Sequence, residues 1–280
     1  MISVGQWMRR RRAGRRLFNP YIAGTPVFDE RLFYGRESAT RWALGRLASG
    51  NVRVTGERRI GKTSFLHHLR RVLAAQAGER RVFPVFVDLE SVTEADLFRI
   101  LLEETVDAVA VPETAPRLDA ADGRYGAADF ARDLRLVLDE LRSRSGRPPL
   151  LVYLIDEADA LVDRPGPAEP SLAALSGRWP DEVRVVLASV GRNGNGREEH
   201  RSLDAFDEIE LRPLTEEAAA ALVQEPVAGV VRYEAAAVAR ILEWSRHRPY
   251  LIQRLCVRLI DRVLEEGRRV VGPADVDAEA

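Results

Sequence analysis

The sequence predicts an α/β fold: a parallel five-stranded sheet followed by an all-helical C-terminal region. Three observations predict it. Five short strand candidates, 51–55, 82–88, 150–155, 183–190 and 207–211, alternate with helical stretches, which is the pattern of a parallel sheet. The first candidate runs into a glycine-bounded turn and then directly into a helix. After Arg212-Pro213 only helical periodicity remains.

Taken in order, Asn51-Val52-Arg53-Val54-Thr55 alternates and is β-branched, so it reads as a strand. Thr63 to Ala77 reads as a helix, with Phe65, Leu66, Leu69, Val72 and Leu73 on one face. The strand 82–88 contains Pro84, whose missing N–H predicts an edge position. Two helices follow, near 94–110 and 127–143, joined by an acidic Pro- and Gly-containing loop over 112–126. Leu150-Leu151-Val152-Tyr153-Leu154-Ile155 is continuously apolar, as suits a central parallel strand covered on both faces. Val183 to Val190 is a second buried strand, ending in the polar loop Gly191-Arg192-Asn193-Gly194-Asn195-Gly196. Beyond Pro213, Thr215 caps a helix whose first turn carries Glu216 and Glu217. Helices over 234–245 and 249–266 follow, and Gly272-Pro273-Ala274-Asp275-Val276 opens another. The implied organisation is a basic flexible arm over 1–18, an α/β core over 19–212 and a helical lid over 213–280.

The turn between the first strand and its helix carries the chemistry. Gly56-Glu57-Arg58-Arg59-Ile60-Gly61-Lys62-Thr63 has the spacing G-x-x-x-x-G-K-[ST] of a phosphate-binding P-loop. Backbone N–H groups of such a loop, continued by those of Ser64 at the helix N-terminus, point at phosphate oxygens. Of the chain's 42 basic residues, Lys62 is the single lysine. A compact ammonium bridges phosphate oxygens where the planar fork of arginine fits poorly, so the one exception to arginine falls where a nucleotide needs it. The apolar strand 150–155 ends in Asp156-Glu157. This is the Walker B pattern: Asp156, with the Thr63 hydroxyl, is a candidate for holding Mg²⁺, and Glu157 for polarising the attacking water as general base. Glu157 and Lys62 are thus the catalytic candidates, and ATP and Mg²⁺ the implied ligands.

Composition sets outer bounds. The length of 280 residues allows one large domain plus a smaller one. The net charge of −1 makes no case for nucleic-acid binding by the whole molecule. One cysteine, Cys256, excludes a disulfide framework and suits a reducing, cytoplasmic compartment. No segment approaches the length of a membrane-spanning apolar run. Arg9 to Arg12, Arg15 and Arg16 form a basic arm with two open readings: a solvated flexible tail, or a contact to nucleic-acid phosphates or an acidic partner.

The order of these parts resembles the ATPase core of AAA+-related proteins, specifically the bacterial STAND class, over roughly 19–275. Asn19 to Val27 followed by Phe33-Tyr34-Gly35-Arg36-Glu37 is similar to that family's lead-in and its "GRE" box, which implies that Gly35 and Arg36 wrap the adenine side of the nucleotide. Leu211 to Ala218 is similar to the family's crossing into the lid. His247-Arg248-Pro249-Tyr250-Leu251-Ile252-Gln253 resembles the lid motif G-G-H-P-Y-L-I-Q, with the glycine pair replaced. The resemblance implies that Pro249 packs over the base and that His247 or Arg248 reads the phosphates; a plain helix N-terminus with exposed cations competes with this. It also implies a sensor on the strand between the P-loop and Walker B strands, which by order is 183–190. Ser189, Arg192 and Asn193 are the candidates, and a simple turn fits each singly as well. Arg197 and Arg201 are positioned as candidate arginine fingers for a homo-oligomer.

The resemblance implies an ATP-driven conformational switch in signalling or defence, working with protein partners or fused domains absent from this chain. Two alternatives stand beside it. One is a DNA-associated AAA+ ATPase of origin-recognition, loader or transposition type. The other is a nucleotide-binding scaffold with little hydrolysis.

Overall fold

The computed structural model describes residues 19–76, 81–90, 92–93, 95–110, 125–146, 148–159, 176–190 and 205–280. The chain divides into two compact units. One is the α/β unit Arg36–Arg212; the other joins the segment up to Gly35 with Pro213–Ala280.

The α/β unit opens with α1 (Glu37–Leu47), then β1 (Asn51–Thr55), α2 (Lys62–Ala74), β2 (Arg81–Asp88), α3 (Leu97–Val109), α4 (Ala127–Ser145), β3 (Pro149–Asp156), β4 (Val183–Ser189) and β5 (Phe206–Glu210). All strand pairs are parallel, in the order β2-β3-β4-β1-β5. The fold is therefore the predicted five-stranded parallel sheet. Pro84 lies on the edge strand β2, where a missing N–H costs least.

Alternation along the strands separates two faces. Phe83, Val85 and Val87 join Tyr153 and Ile155 in a core under α3 and α4, where Phe130 packs edge-on to Tyr153 with ring centroids 6.3 Å apart. The intervening residue Phe86 stacks on His67 of α2 at 4.2 Å, so α2 covers the opposite face. β3 is buried along nearly its whole length because both its faces are covered, which is why its sequence is apolar without alternation. On α2 the face read from the sequence is the buried one: Phe65, Leu66, Leu69 and Leu73 are buried, and Val72 is half-buried.

The second unit holds α5 (Glu216–Gln224), β6 (Arg232–Tyr233), α6 (Ala235–Ser245), α7 (Pro249–Glu265), β7 (Val270–Val271) and α8 (Pro273–Glu279). Thr215 caps α5, its side chain accepting from the Ala218 N–H at 3.3 Å. Cys256 is fully buried in this unit's core. Two features differ from the sequence expectation. The helical region also contains a short parallel pair, Arg232↔Val270 and Tyr233↔Val271, too short to give a periodic signal. Residues 19–35, expected with the α/β core, pack instead in the helical unit. Asn19 Nδ2 donates to the Val257 carbonyl at 2.7 Å and to Asp261 at 2.9 Å. The Tyr21 hydroxyl donates to the Val223 carbonyl, and the Ile22 N–H to Gln253 Oε1 at 3.1 Å.

Candidate nucleotide site

Parallel strands place all their C-terminal ends at one edge of the sheet. There β1 feeds the loop 56–61, β3 presents Asp156, and β4, which lies between them, presents Ser189. The loop is shaped by backbone angles that glycine tolerates best. Gly61 caps α2 at φ 101°, and a Cβ built on it would meet no atom within 4 Å, so its approach side is open. Gly56 has φ 150°, and a Cβ there would stand 2.7 Å from the Leu211 carbonyl oxygen, so only glycine fits. Glu57, Arg58 and Arg59 are exposed and Ile60 is buried.

Lys62 is 8% exposed. Its Nζ donates to the carbonyls of Gly56 at 2.9 Å and Glu57 at 3.1 Å, so the lysine also braces the loop that carries it. Burial lowers its pKa, against the opposing pull of Asp159, Glu157 and Asp156. Asp156 is buried, and its pKa is raised by that burial. The Glu157 backbone N–H, 3.0 Å from Oδ1, bonds its carboxylate, and both it and the nearby Thr63 side chain partly offset the rise. Glu157 is half-buried, and burial followed by repulsion from Asp156 and Asp159 raises its pKa too. A carboxylate held above its usual range is suited to accepting a proton near neutral pH.

Glu157 has φ 50°, unusual for a non-glycine residue. Its neighbours hold it there: the Ala158 N–H donates to the Ala188 carbonyl at 2.9 Å, and Asp159 accepts from the Val190 N–H at 2.7 Å. Asp159, the third carboxylate of Asp156-Glu157-Ala158-Asp159, was not singled out in the sequence, although the spacing displays it. Among the described residues no group of three or more His, Cys, Asp or Glu could chelate a metal unaided. A hydroxyl–carboxylate pair of this kind completes a Mg²⁺ shell only together with phosphate oxygens and water.

The other candidates fall as follows. Ser189 is buried, and its hydroxyl accepts from Arg53 Nε at 3.4 Å; Arg53 in turn pairs with Glu208 at 3.6 Å. Arg36 is buried, and its guanidinium bonds main-chain carbonyls of the α/β unit, Ile60 at 3.2 Å and Arg212 at 2.8 Å. Gly35 belongs to the other unit, where a Cβ would collide with Ala218 Cβ at 2.5 Å. Packing alone thus requires glycine at 35. Arg246 and His247 are consecutive left-handed residues, φ 48° and 59°, in the slot where the resembled motif has two glycines. That aligns the motif without a shift and leaves Arg248 directly before Pro249, the first residue of α7. Arg192, Asn193, Arg197, Arg201 and the arm Arg9–Arg16 lie outside the described residues.

The sheet order, the loop between β1 and α2, and the carboxylates ending β3 define the fold of AAA+-type P-loop ATPases. No protein-family profile matches the chain, and no curated protein matches it in sequence. Solved structures match in fold. Aeropyrum pernix Orc1, solved in complex with DNA, superposes with a TM-score of 0.62 at 18% identity, over 88% of this chain and 65% of its own. The Walker-type ATPase PABY2304 of Pyrococcus abyssi gives 0.61 at 14%, over 85% and 70%. The Thermotoga maritima RuvB Holliday junction branch migration motor gives 0.55 at 16%, over 88% and 69%. The chain thus spans about two thirds of the length of these structures. Among the described residues no helix is long and apolar enough to cross a membrane.

Proposed function

We propose that this chain is an ATP-binding and ATP-hydrolysing conformational switch of the STAND/AAA+ type, acting in bacterial signalling or defence. The observation that carries the proposal is the glycine-bounded loop after β1, braced by Lys62 Nζ on the Gly56 and Glu57 carbonyls, with Asp156 and Glu157 at the same edge of the sheet. These residues fit ATP with Mg²⁺. The loop from Gly56 to Ser64, with Lys62 Nζ, would hold the phosphates through backbone N–H groups and one point charge. Thr63 and Asp156 would hold Mg²⁺, which when bound neutralises charge on the phosphate oxygens. Glu157 would orient a water and accept its proton. A switch further requires that ATP and ADP favour different conformations. Limited proteolysis of the full chain with ATP analogue and Mg²⁺, or with ADP and Mg²⁺, tests this. Two distinct cleavage patterns around 205–215 are expected, and identical patterns would contradict the switch.

A second reading, a DNA-associated AAA+ ATPase, is favoured by the fold neighbours solved with DNA or described as a branch migration motor, and by the Arg9–Arg16 arm. On this reading the full chain binds duplex DNA at low salt. Deleting 1–16 then flattens the salt dependence by about 0.9 in slope per lost phosphate contact. No DNA binding at low salt removes this reading and leaves the signalling switch.

A further inference from the structure

Arg36 is buried at the N-terminus of α1, and its carbonyl accepts from both the Thr40 N–H at 2.8 Å and the Thr40 hydroxyl at 2.9 Å. Its main chain is therefore pinned to the helix, and its guanidinium is projected from a fixed base. One nitrogen, Nη2, donates to the carbonyl of Ile60, the residue before Gly61. The other, Nη1, donates to the carbonyl of Arg212, the last residue of the α/β unit.

The segment 211–212 meets the loop at its beginning as well. The Leu211 N–H donates to the Thr55 carbonyl at 2.7 Å, and the Leu211 carbonyl lies against Gly56 so closely that no Cβ fits. Pro213 then offers no N–H. The next main-chain bond, Leu214 N–H to the His247 carbonyl at 3.0 Å, already belongs to the helical unit. Arg36 thus holds the last residue of the α/β unit and the far end of the loop in one planar fork.

We propose that Arg36 is a positioning residue that couples the phosphate loop to the chain crossing at Arg212–Pro213. This rests on the reading of 56–63 as the nucleotide loop. A ligand that shifts Ile60 must shift or break the bond to Arg36, and the same guanidinium then moves or releases Arg212. Lysine lacks the planar fork whose two terminal nitrogens each take one carbonyl here, so a single ammonium on a flexible stem should not hold Ile60 and Arg212 in the same fixed geometry. Arginine at 36 is in this view required for communication, beyond any contact with nucleotide.

Hydrogen–deuterium exchange on the full chain, with a non-hydrolysable ATP analogue and Mg²⁺, reads the coupling directly. In the parent, amides of 56–63 and of Leu211, Arg212 and Leu214 should change exchange with one common midpoint in analogue concentration. At analogue concentrations that saturate each protein by calorimetry, Arg36→Lys and Arg36→Met should still respond at 56–63 but lose at least half of the response at 211–214. Two results would overturn the proposal: a parent whose 211–214 amides do not respond when 56–63 do, or a folded Arg36 variant, saturated with analogue, that keeps the full 211–214 response. Should both variants fail to fold or to bind, the parent titration alone decides. Absence of binding by the parent would overturn the nucleotide-site reading itself, and this coupling with it.

Discussion

Thr63, in the first turn of α2, acts on the Asp156 carboxylate at the end of β3 and lowers the pKa that burial raises. The pair brings a neutral oxygen and an anionic one to a single point beside the loop, which is what a hard divalent cation needs from the protein. Thr63→Ala should remove the part of nucleotide affinity that depends on Mg²⁺ and leave metal-free binding nearly unchanged. Thr63→Ser should behave as the parent. Calorimetry with and without Mg²⁺ measures the difference, and an unchanged Mg²⁺ increment in Thr63→Ala would argue against the metal assignment.

Lys62 serves two ends, since its Nζ also bonds the Gly56 and Glu57 carbonyls. Lys62→Ala should therefore weaken ATP binding by about 1.5–3 kcal/mol through the lost charge-assisted contact, and should loosen the loop as well. Lys62→Arg keeps the charge but not the shape, and should also bind more weakly than the parent. Equal affinity of Lys62→Ala and parent would remove the site from this loop.

Much of this arrangement was legible in the sequence because it is local. The loop spacing, the apolar run ending in Asp156-Glu157 and the proline of β2 each carry their signal within a few residues, and the structure places all three at the expected strands. The rest depends on contacts that no local pattern encodes. Arg36 reaches a carbonyl 176 residues away, and nothing beside it in sequence announces which carbonyl that is. Residues 19–35 precede the core in sequence, yet Asn19 and Tyr21 find their partners in α5 and α7. The pairing of Arg232 with Val270 spans two residues per strand, below any periodicity. Arg246 and His247 show the reverse case: the sequence has no glycine there, yet the backbone is left-handed at both.

That backbone has a measurable cost. A left-handed conformation disfavours non-glycine residues by about 1–2 kcal/mol each, part of which glycine gives back through its freer unfolded chain. Arg246→Gly and His247→Gly should each stabilise the protein by roughly 0.5–1 kcal/mol in urea unfolding. Destabilisation by either would show that side-chain contacts at these positions outweigh the backbone.

Asp275 is held below its ordinary range by the Arg268 guanidinium, which reaches its two oxygens at 2.7 and 3.0 Å, and it also accepts from the Gly272 N–H at 2.8 Å. A carboxylate whose folded pKa is depressed contributes stability above its unfolded pKa, and that contribution is lost as pH falls through the folded value. Asp275→Asn should therefore destabilise the protein by about 1.5 kcal/mol at neutral pH. The gap to the parent should stay constant down to near 3.8 and close below it. A pH-independent gap in thermal unfolding would assign the effect to helix capping alone.

The central claim, an ATPase whose base is Glu157, is tested most directly by phosphate release and ATP binding measured together on the parent and on Glu157→Gln. The amide keeps the size and hydrogen-bonding shape of the side chain but cannot take a proton. The parent should release phosphate only with Mg²⁺, and Glu157→Gln should bind ATP with the parent's affinity while turnover falls by about 10²-fold or more. Equal turnover in the two proteins, or a parent that binds ATP but releases no phosphate, would contradict it.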